Sequence, residues 1–135
     1  MAELNKRVRD KMLDFEKEYV SDIVIITVNI SRATLKEAHE FKKFIDDEIK
    51  KKKLKIIIDL SPCDFIDSTF IGVLVVTLKK LADAGGELRI VEPPSIAHTI
   101  LTVTGTLNIF NTHKTRSEAV MSFMDPDQVY NSMVS

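Results

Sequence analysis

The chain has 135 residues, of which 44% are hydrophobic and 29% are charged, and its formal net charge is -1. This length is typical of one domain, and the apolar content is too high for a disordered chain. The balance of charges argues against non-specific binding to nucleic acid, which favours a basic surface. The single cysteine, Cys63, excludes an internal disulfide framework and a cysteine-rich metal site.

No segment approaches the ~18 consecutive apolar residues that a membrane-spanning helix needs. The polar start of the chain, residues 1–11, also lacks the apolar core of a secretory signal. We therefore expect a cytoplasmic protein without direct membrane insertion. We expect residues 1–11 to form an extension, either flexible or a short helix, residues 12–124 to form the domain, and residues 125–135 to form a flexible tail.

The first predicted elements are two strands. Residues 23–30 are β-branched almost throughout and apolar on both faces, as in a buried strand. Residues 13–19 alternate between apolar and polar, which predicts a first strand that pairs with 23–30 through a turn at 20–22. Apolar residues at helical spacing also occur in the first dozen positions, so part of that segment could instead be an extra helix.

Two amphipathic helices follow in the sequence. Thr34 and Glu37 have the spacing of a capping box, and apolar residues then recur at helical intervals as far as Ile49. Four lysines at 50–53 come next, and a solvated helix C-terminus explains them better than a surface for acidic partners. The second helix is predicted to begin near Ser68 and to end at a pair of glycines, 85–86.

The remaining elements continue the alternation of strands and helices. Short strands are predicted at 55–60, 88–91 and 108–110, a third helix after 93–94, and a final helix from Thr115. This order predicts an α/β fold, a single small domain whose mixed, mostly parallel sheet has about five strands and is covered by about four helices.

The junction between the strand at 55–60 and the second helix carries the most distinctive residues. Functional groups of such sheets gather where strands end and helices begin. Asp67, Ser68 and Thr69 are preferred helix-capping residues, so on composition alone they could do no more than start the helix. The functional interpretation is that Ser68 is phosphorylated. The added charge of roughly -1.5 to -2 is tolerated by helix amides but opposes an apolar partner, so binding would change more than folding.

From about residue 13 to residue 124 the sequence resembles the STAS domains (sulfate transporter and anti-sigma factor antagonist), and among them the small stand-alone bacterial antagonists. The Asp-Ser-Thr element at this position is the most specific part of the resemblance. The matching segments are the strand at 55–60, the element at 65–69, Gly72-Val73-Leu74, the glycine pair 85–86 with 87–90, and Thr104-Gly105-Thr106-Leu107.

The resemblance implies a partner switch in bacterial transcription regulation. The unphosphorylated antagonist binds an anti-sigma factor that is also a serine kinase, which frees a sigma factor. The kinase uses ATP to phosphorylate the serine after the aspartate, here Ser68, and the complex dissociates until a metal-dependent phosphatase restores the hydroxyl. The antagonist itself has no catalytic residue, metal or cofactor. In this interpretation Asp67 and Thr69 shape the acceptor, while Phe70 and Ile71 border the partner-binding surface.

Two positions depart from the family pattern. Phe70 stands where members usually have glycine, and residues 30–33 lack the acidic residue that helps many antagonists engage the kinase. The acceptor serine itself is retained, but the family's detailed contacts with the kinase are not carried over to this chain.

Three alternatives stay open at this point. A phosphorylated receiver domain would need clustered carboxylates for a magnesium ion beside an acceptor such as Asp59, and residues 29–31 offer no acidic pair. A nucleophilic enzyme would need an imidazole within ~3.2 Å of the Ser68 hydroxyl. The third alternative keeps the fold: a STAS scaffold or regulatory subunit of a signalling complex, or of secretion or lipid-transport machinery, that does not control a sigma factor.

Overall fold

A computed structural model describes residues 14–124, and its centre is one five-stranded sheet. The strands are β1 (Phe15–Val20), β2 (Ile23–Val28), β4 (Lys55–Asp59), β6 (Glu87–Val91) and β7 (Asn111–His113), in that spatial order. The first two strands are antiparallel, and every other neighbouring pair is parallel. The predicted α/β class and mixed, mostly parallel sheet are confirmed.

Two further strands, β3 (Arg32–Ala33) and β5 (Phe65–Ile66), form a separate parallel pair. The helices are α1 (Leu35–Lys50), α2 (Ser68–Asp83), α3 (Ser95–Val103), α4 (Thr106–Ile109) and α5 (Arg116–Phe123). Helices α1, α2 and α3 contribute to the main core on one face of the five-stranded sheet, and α5 packs on the other face. None of the helices within residues 14–124 is long and apolar enough to cross a bilayer.

The consecutive apolar residues in the middle of β2 and β4 follow from this two-sided cover. In β2, Ile26 belongs to the core under α1 and α2, whereas Ile25 belongs to the core under α5. In β4, Ile58 and Ile57 divide in the same way between the two cores. A parallel strand covered on both faces has no solvent side, so it needs no polar alternation.

The last strand lies further along the chain than predicted. Residues 108–110 were expected to form it, but α4 occupies 106–109 and β7 begins only at Asn111. The reason is Gly105, whose left-handed φ of +74° follows α3 and starts a second helical turn. The buried Phe110 then leads into the strand.

Three predictions concern segments outside the described part of the chain. These are the extension at 1–11, the helix considered for the first dozen residues, and the tail at 125–135. They stay predictions.

The glycine pair after α2 combines a turn with a close contact. Gly85 has a φ of +81° and ends the helix, as predicted. Gly86 lies directly against Leu54: a Cβ added to Gly86 would overlap the Leu54 carbonyl oxygen and approach the Leu54 Cβ to 2.9 Å. Since backbone atoms form this contact, a larger residue at 86 requires the chain to move.

We expect Gly86→Ala to lower the free energy of unfolding by about 1–3 kcal/mol, because the added methyl group overpacks the site. Gly72→Ala is the matched control, since a Cβ on Gly72, inside α2, has no atom within 4 Å. Alanine there should raise stability by about 0.5–1 kcal/mol through helix propensity. Denaturant titration of both variants measures the difference, and equal stabilities would contradict the packing described for Gly86.

A buried carboxylate attaches the outer strand β1 to α1. Glu48 is 1% exposed and accepts hydrogen bonds from Lys17 Nζ at 3.0 Å and from the Tyr19 hydroxyl at 2.8 Å. Burial by itself raises the pKa of Glu48, but the hydrogen bonds from Lys17 and Tyr19 outweigh it, so the pKa lies below its ordinary value. The ionised form therefore contributes to stability.

Because the folded pKa of Glu48 is lowered, its contribution should be complete above the ordinary carboxyl pKa of about 4.3. The contribution should be lost as the pH falls through the lower folded value. We expect Glu48→Gln to lower the free energy of unfolding at pH 7 by about 1–3 kcal/mol. Measured from pH 7 down to pH 2, the gap between wild type and variant should narrow in acid, whereas a constant gap would rule out the ionised pairing.

Candidate functional site

Asp67 joins the starts of two helices. Its Oδ1 accepts a hydrogen bond from the Phe70 N–H at 2.9 Å, which caps α2. Its Oδ2 accepts from the N–H of Leu35, the first residue of α1, at 2.8 Å. The Asp67 N–H donates in turn to the Ala33 carbonyl oxygen at 2.9 Å. One carboxylate thus satisfies an N–H group in each helix, at the end where the helix dipole favours negative charge.

The pairing of β3 with β5 places the N-termini of α1 and α2 side by side. Each strand runs into its helix through one residue, Thr34 before α1 and Asp67 before α2. The parallel register pairs Ala33 with Ile66, so both helices start at the same height. Thr34 is held by Glu37, whose Oε2 accepts from the Thr34 N–H at 3.0 Å and from its hydroxyl at 2.8 Å.

Ser68 is the first residue of α2, and both Ser68 and Thr69 are exposed. Among residues 14–124, no group forms a hydrogen bond with the Ser68 hydroxyl. The predicted acceptor is therefore open to solvent and is not engaged in capping, because Asp67 performs that task.

The expectation that Phe70 borders a partner-binding surface is wrong. Capping by Asp67 turns Phe70 inward: the side chain is 0% exposed, and its ring stacks on Phe41 with centroids 4.6 Å apart. Phe70 therefore belongs to the core between α1 and α2. Ile71 is half-buried and packs against the same core, which leaves only part of it at the surface.

The structure places the Asp64 carboxylate beside residues 30–33, a segment with no acidic residue of its own. Residues 30–33 contain no acid, but Asp64 Oδ2 accepts a hydrogen bond from the Ser31 hydroxyl at 2.8 Å. Next to this pair, the Arg32 guanidinium lies over the Phe65 ring, 4.2 Å from its centroid. Sequence reasoning missed this grouping because Ser31 and Asp64 are 33 residues apart and meet only through the pairing of β3 with β5.

A groove runs between α1 and α2 from the end that carries Thr69. Its volume is about 300 Å³. At its other end, Lys80 of α2 and Asp46 of α1 form an ion pair of 3.0 Å. The lining residues from both helices are Lys42, Asp46, Thr69, Gly72, Val73, Val76, Thr77 and Lys80.

The geometry does not supply what a receiver domain requires. Asp59 is 4% exposed, and it accepts hydrogen bonds from Arg116 Nη2 at 3.0 Å and from the Ser61 N–H at 2.9 Å. The Arg116 guanidinium also donates to the Thr27 hydroxyl at 2.7 Å. Asp59 thus attaches α5 to the sheet, and within residues 14–124 no three His, Cys, Asp or Glu side chains are grouped to hold a metal ion.

A nucleophilic site also lacks its parts in the described residues. His98 lies 3.1 Å from Glu92, and no histidine of this region is hydrogen-bonded to Ser68. Cys63 is 0% exposed, and burial raises the pKa of its thiol to about 12, so a reactive thiolate is not accessible.

Comparisons with known proteins agree with this geometry. The family model of the STAS domain matches residues 14–119. A candidate anti-sigma factor antagonist from Thermotoga neapolitana is 35% identical over 107 residues, which cover 78% of this chain and 94% of the relative.

Solved structures show the same fold. The crystal structure of a candidate anti-sigma factor antagonist from Thermotoga maritima has a TM-score of 0.74 at 34% identity, covering 80% of this chain and 92% of the other. The Bacillus cell fate determinant SpoIIAA in its phosphorylated form has a TM-score of 0.64 at 18% identity, covering 82% of this chain and 99% of its own. The Asp67-Ser68-Thr69 junction thus lies in a sheet-and-helix arrangement shared with these proteins, and the chain belongs to the STAS domain family.

Proposed function

We propose that this protein is an anti-sigma factor antagonist that acts in a partner switch. In its unmodified form it binds an anti-sigma factor that is also a serine kinase, and phosphorylation of Ser68 releases it. A metal-dependent serine phosphatase then regenerates the binding form. The observation that carries the proposal is the exposed Ser68 at the first position of α2, directly after the capping Asp67.

The names of the relatives support the choice of partner. The Thermotoga neapolitana protein carries an anti-sigma factor antagonist assignment, and the chain matches nearly the whole of it. SpoIIAA has been solved in both unphosphorylated and phosphorylated forms, and both share this fold. A phosphorylated member with the same fold is consistent with a modification that leaves the structure in place.

The proposed chemistry requires little of the antagonist. The kinase transfers the terminal phosphoryl group of ATP to the Ser68 oxygen, the hydroxyl proton passes to a kinase base, and ADP leaves. The antagonist contributes only an accessible hydroxyl on a rigid helix start. Asp67 holds that start in place through its two hydrogen bonds, and Thr69 is the exposed neighbour on the partner side.

Local electrostatics explain how a phosphate would change binding without unfolding the domain. The first turn of α2 presents N–H groups that favour negative charge, and the start of α1 lies beside it. Both Asp67 oxygens already accept hydrogen bonds from N–H donors, so a phosphate on Ser68 does not force the Asp67 carboxylate to move. A partner that covers Ser68 would instead have to desolvate a group with roughly two negative charges, which disfavours the complex strongly.

We expect Ser68→Ala to bind the kinase and to take up no phosphate, and Ser68→Asp to bind weakly. Both should keep the free energy of unfolding within about 1 kcal/mol of wild type, as is usual for exposed positions. Thr69→Ala is the matched control and should still be phosphorylated. Phosphate incorporation by mass spectrometry and binding by calorimetry, with the purified kinase, measure these effects. Phosphorylation of Ser68→Ala together with loss of phosphorylation in Thr69→Ala would move the acceptor to Thr69.

The partner class is tested with Ser68→Ala used as bait in a native lysate, because this variant should hold the kinase. Recovery of an ATP-binding serine kinase, followed by phosphorylation of the wild-type chain by that purified kinase, is the expected result. Recovery of membrane or scaffold components without such a kinase would make the protein a STAS subunit of another assembly.

A further inference from the structure

We propose that the groove between α1 and α2 binds an amphipathic helix of the anti-sigma factor, with an aliphatic side chain seated over Gly72 and an acidic side chain beside Lys42. The inference rests on the proposed function, and it adds the contact surface and the chemistry of the segment that occupies it.

The first support is a notch in the surface of α2. Gly72 is a glycine inside a helix, where it costs about 0.5–1 kcal/mol relative to alanine. A Cβ at Gly72 would have no atom within 4 Å, so packing within the domain does not require its small size. The neighbouring lining is aliphatic, Val73 and Val76, and the Thr77 hydroxyl is satisfied by the Val73 carbonyl oxygen at 2.8 Å. The notch therefore suits an apolar side chain from outside.

The second support is the spacing of exposed apolar groups on the two helices that form the groove, with Leu35 lying beyond the groove lining. Leu35 is 68% exposed at the start of α1, and Val76 is 45% exposed on α2. The bond from the Leu35 N–H to Asp67 sets Leu35 level with Ser68. At 1.5 Å per residue, Val76 then lies about 12 Å further along, with Gly72 midway. Anchors at i, i+4 and i+7 or i+8 of a single helix have this spacing.

The third support is charge. Asp46 is paired with Lys80 at 3.0 Å, whereas Lys42 has no ion-pair partner within residues 14–124. A segment lying in the groove therefore meets one uncompensated positive charge at the rim, which an acidic side chain neutralises. A second copy seated groove against groove would instead bring another Lys42 and no unpaired acidic side chain, because the only acid of the lining, Asp46, is already paired with Lys80.

The position of the groove connects it to the acceptor. Thr69 lines one end of the groove and is the next residue after Ser68. A phosphate on Ser68 would stand at the mouth of the groove and repel the acidic side of the occupant. Release would then require no rearrangement of the antagonist.

The experiment measures binding of the purified kinase, identified with the Ser68→Ala bait, to unphosphorylated full-length variants. Gly72→Leu fills the notch and should raise the Kd at least about tenfold, since it removes the central anchor. Ala82→Leu is the matched control, because it adds bulk at an exposed position of α2 outside the lining, and it should change the Kd less than about twofold. Lys42→Glu should weaken binding about fivefold or more, and Lys43→Glu, outside the lining, should not.

The possible results separate the two proposals. Equal binding of Gly72→Leu and wild type, with Ser68 still phosphorylated, overturns the groove and leaves the partner switch standing. Absence of any kinase that binds the wild-type chain overturns both. If Gly72→Leu changes the oligomeric state in light scattering while kinase affinity stays the same, the groove serves a second copy, which also overturns the proposal.

Discussion

The carboxylate of Asp67 is the interaction on which the proposed site depends. Its two oxygens take an N–H group from the start of α1 and another from the first turn of α2, at 2.8 and 2.9 Å. This arrangement sets the helices level, leaves the Ser68 hydroxyl outside the capping network, and turns Phe70 into the core. A carboxylate is suited to the position because both helix dipoles point their positive ends toward it. The proposed acceptor, Ser68, is therefore presented at a hydrogen-bonded junction between two helices.

The two faces of the sheet carry different structural features. The face under α1, α2 and α3 contains the larger core and carries the Asp67-Ser68-Thr69 junction and the groove. The face under α5 is held by a smaller core and by the Arg116 guanidinium, which bonds Asp59 and Thr27. Asp59 is the residue that a receiver domain would use as its acceptor, but here its carboxylate anchors a helix. The same residue type at a strand end can thus be structural or reactive, and only its partners decide which.

Much of the fold is predictable from the sequence because its signals are local. Buried strands such as 23–28 are apolar at nearly every position, and the capping residues Thr34, Asp67 and Thr115 precede helices in the structure. The short strands β3 and β5 have two residues each, which is too few for a periodic apolar pattern to indicate a strand. The prediction of a strand at 108–110 was wrong because a single left-handed glycine, Gly105, starts an additional helical turn. The pattern of apolar residues in this segment does not indicate that turn. Ser68 and its neighbours were predictable as a helix start. The inward orientation of Phe70, the position of the Asp64 carboxylate beside Ser31, and the groove depend on contacts between distant segments.

The outer strand β1 has a consequence for how copies of this protein meet in a crowded solution. It ends the five-stranded sheet, so one row of its backbone groups lacks a neighbouring strand within the part of the chain described here. Its middle residues are Glu16, Lys17 and Glu18, all exposed, with Lys17 and Tyr19 drawn toward the Glu48 carboxylate. Charged side chains on an outer strand oppose edge-to-edge addition of another sheet. The exposed charges of β1 therefore act against polymerisation through this edge of the sheet.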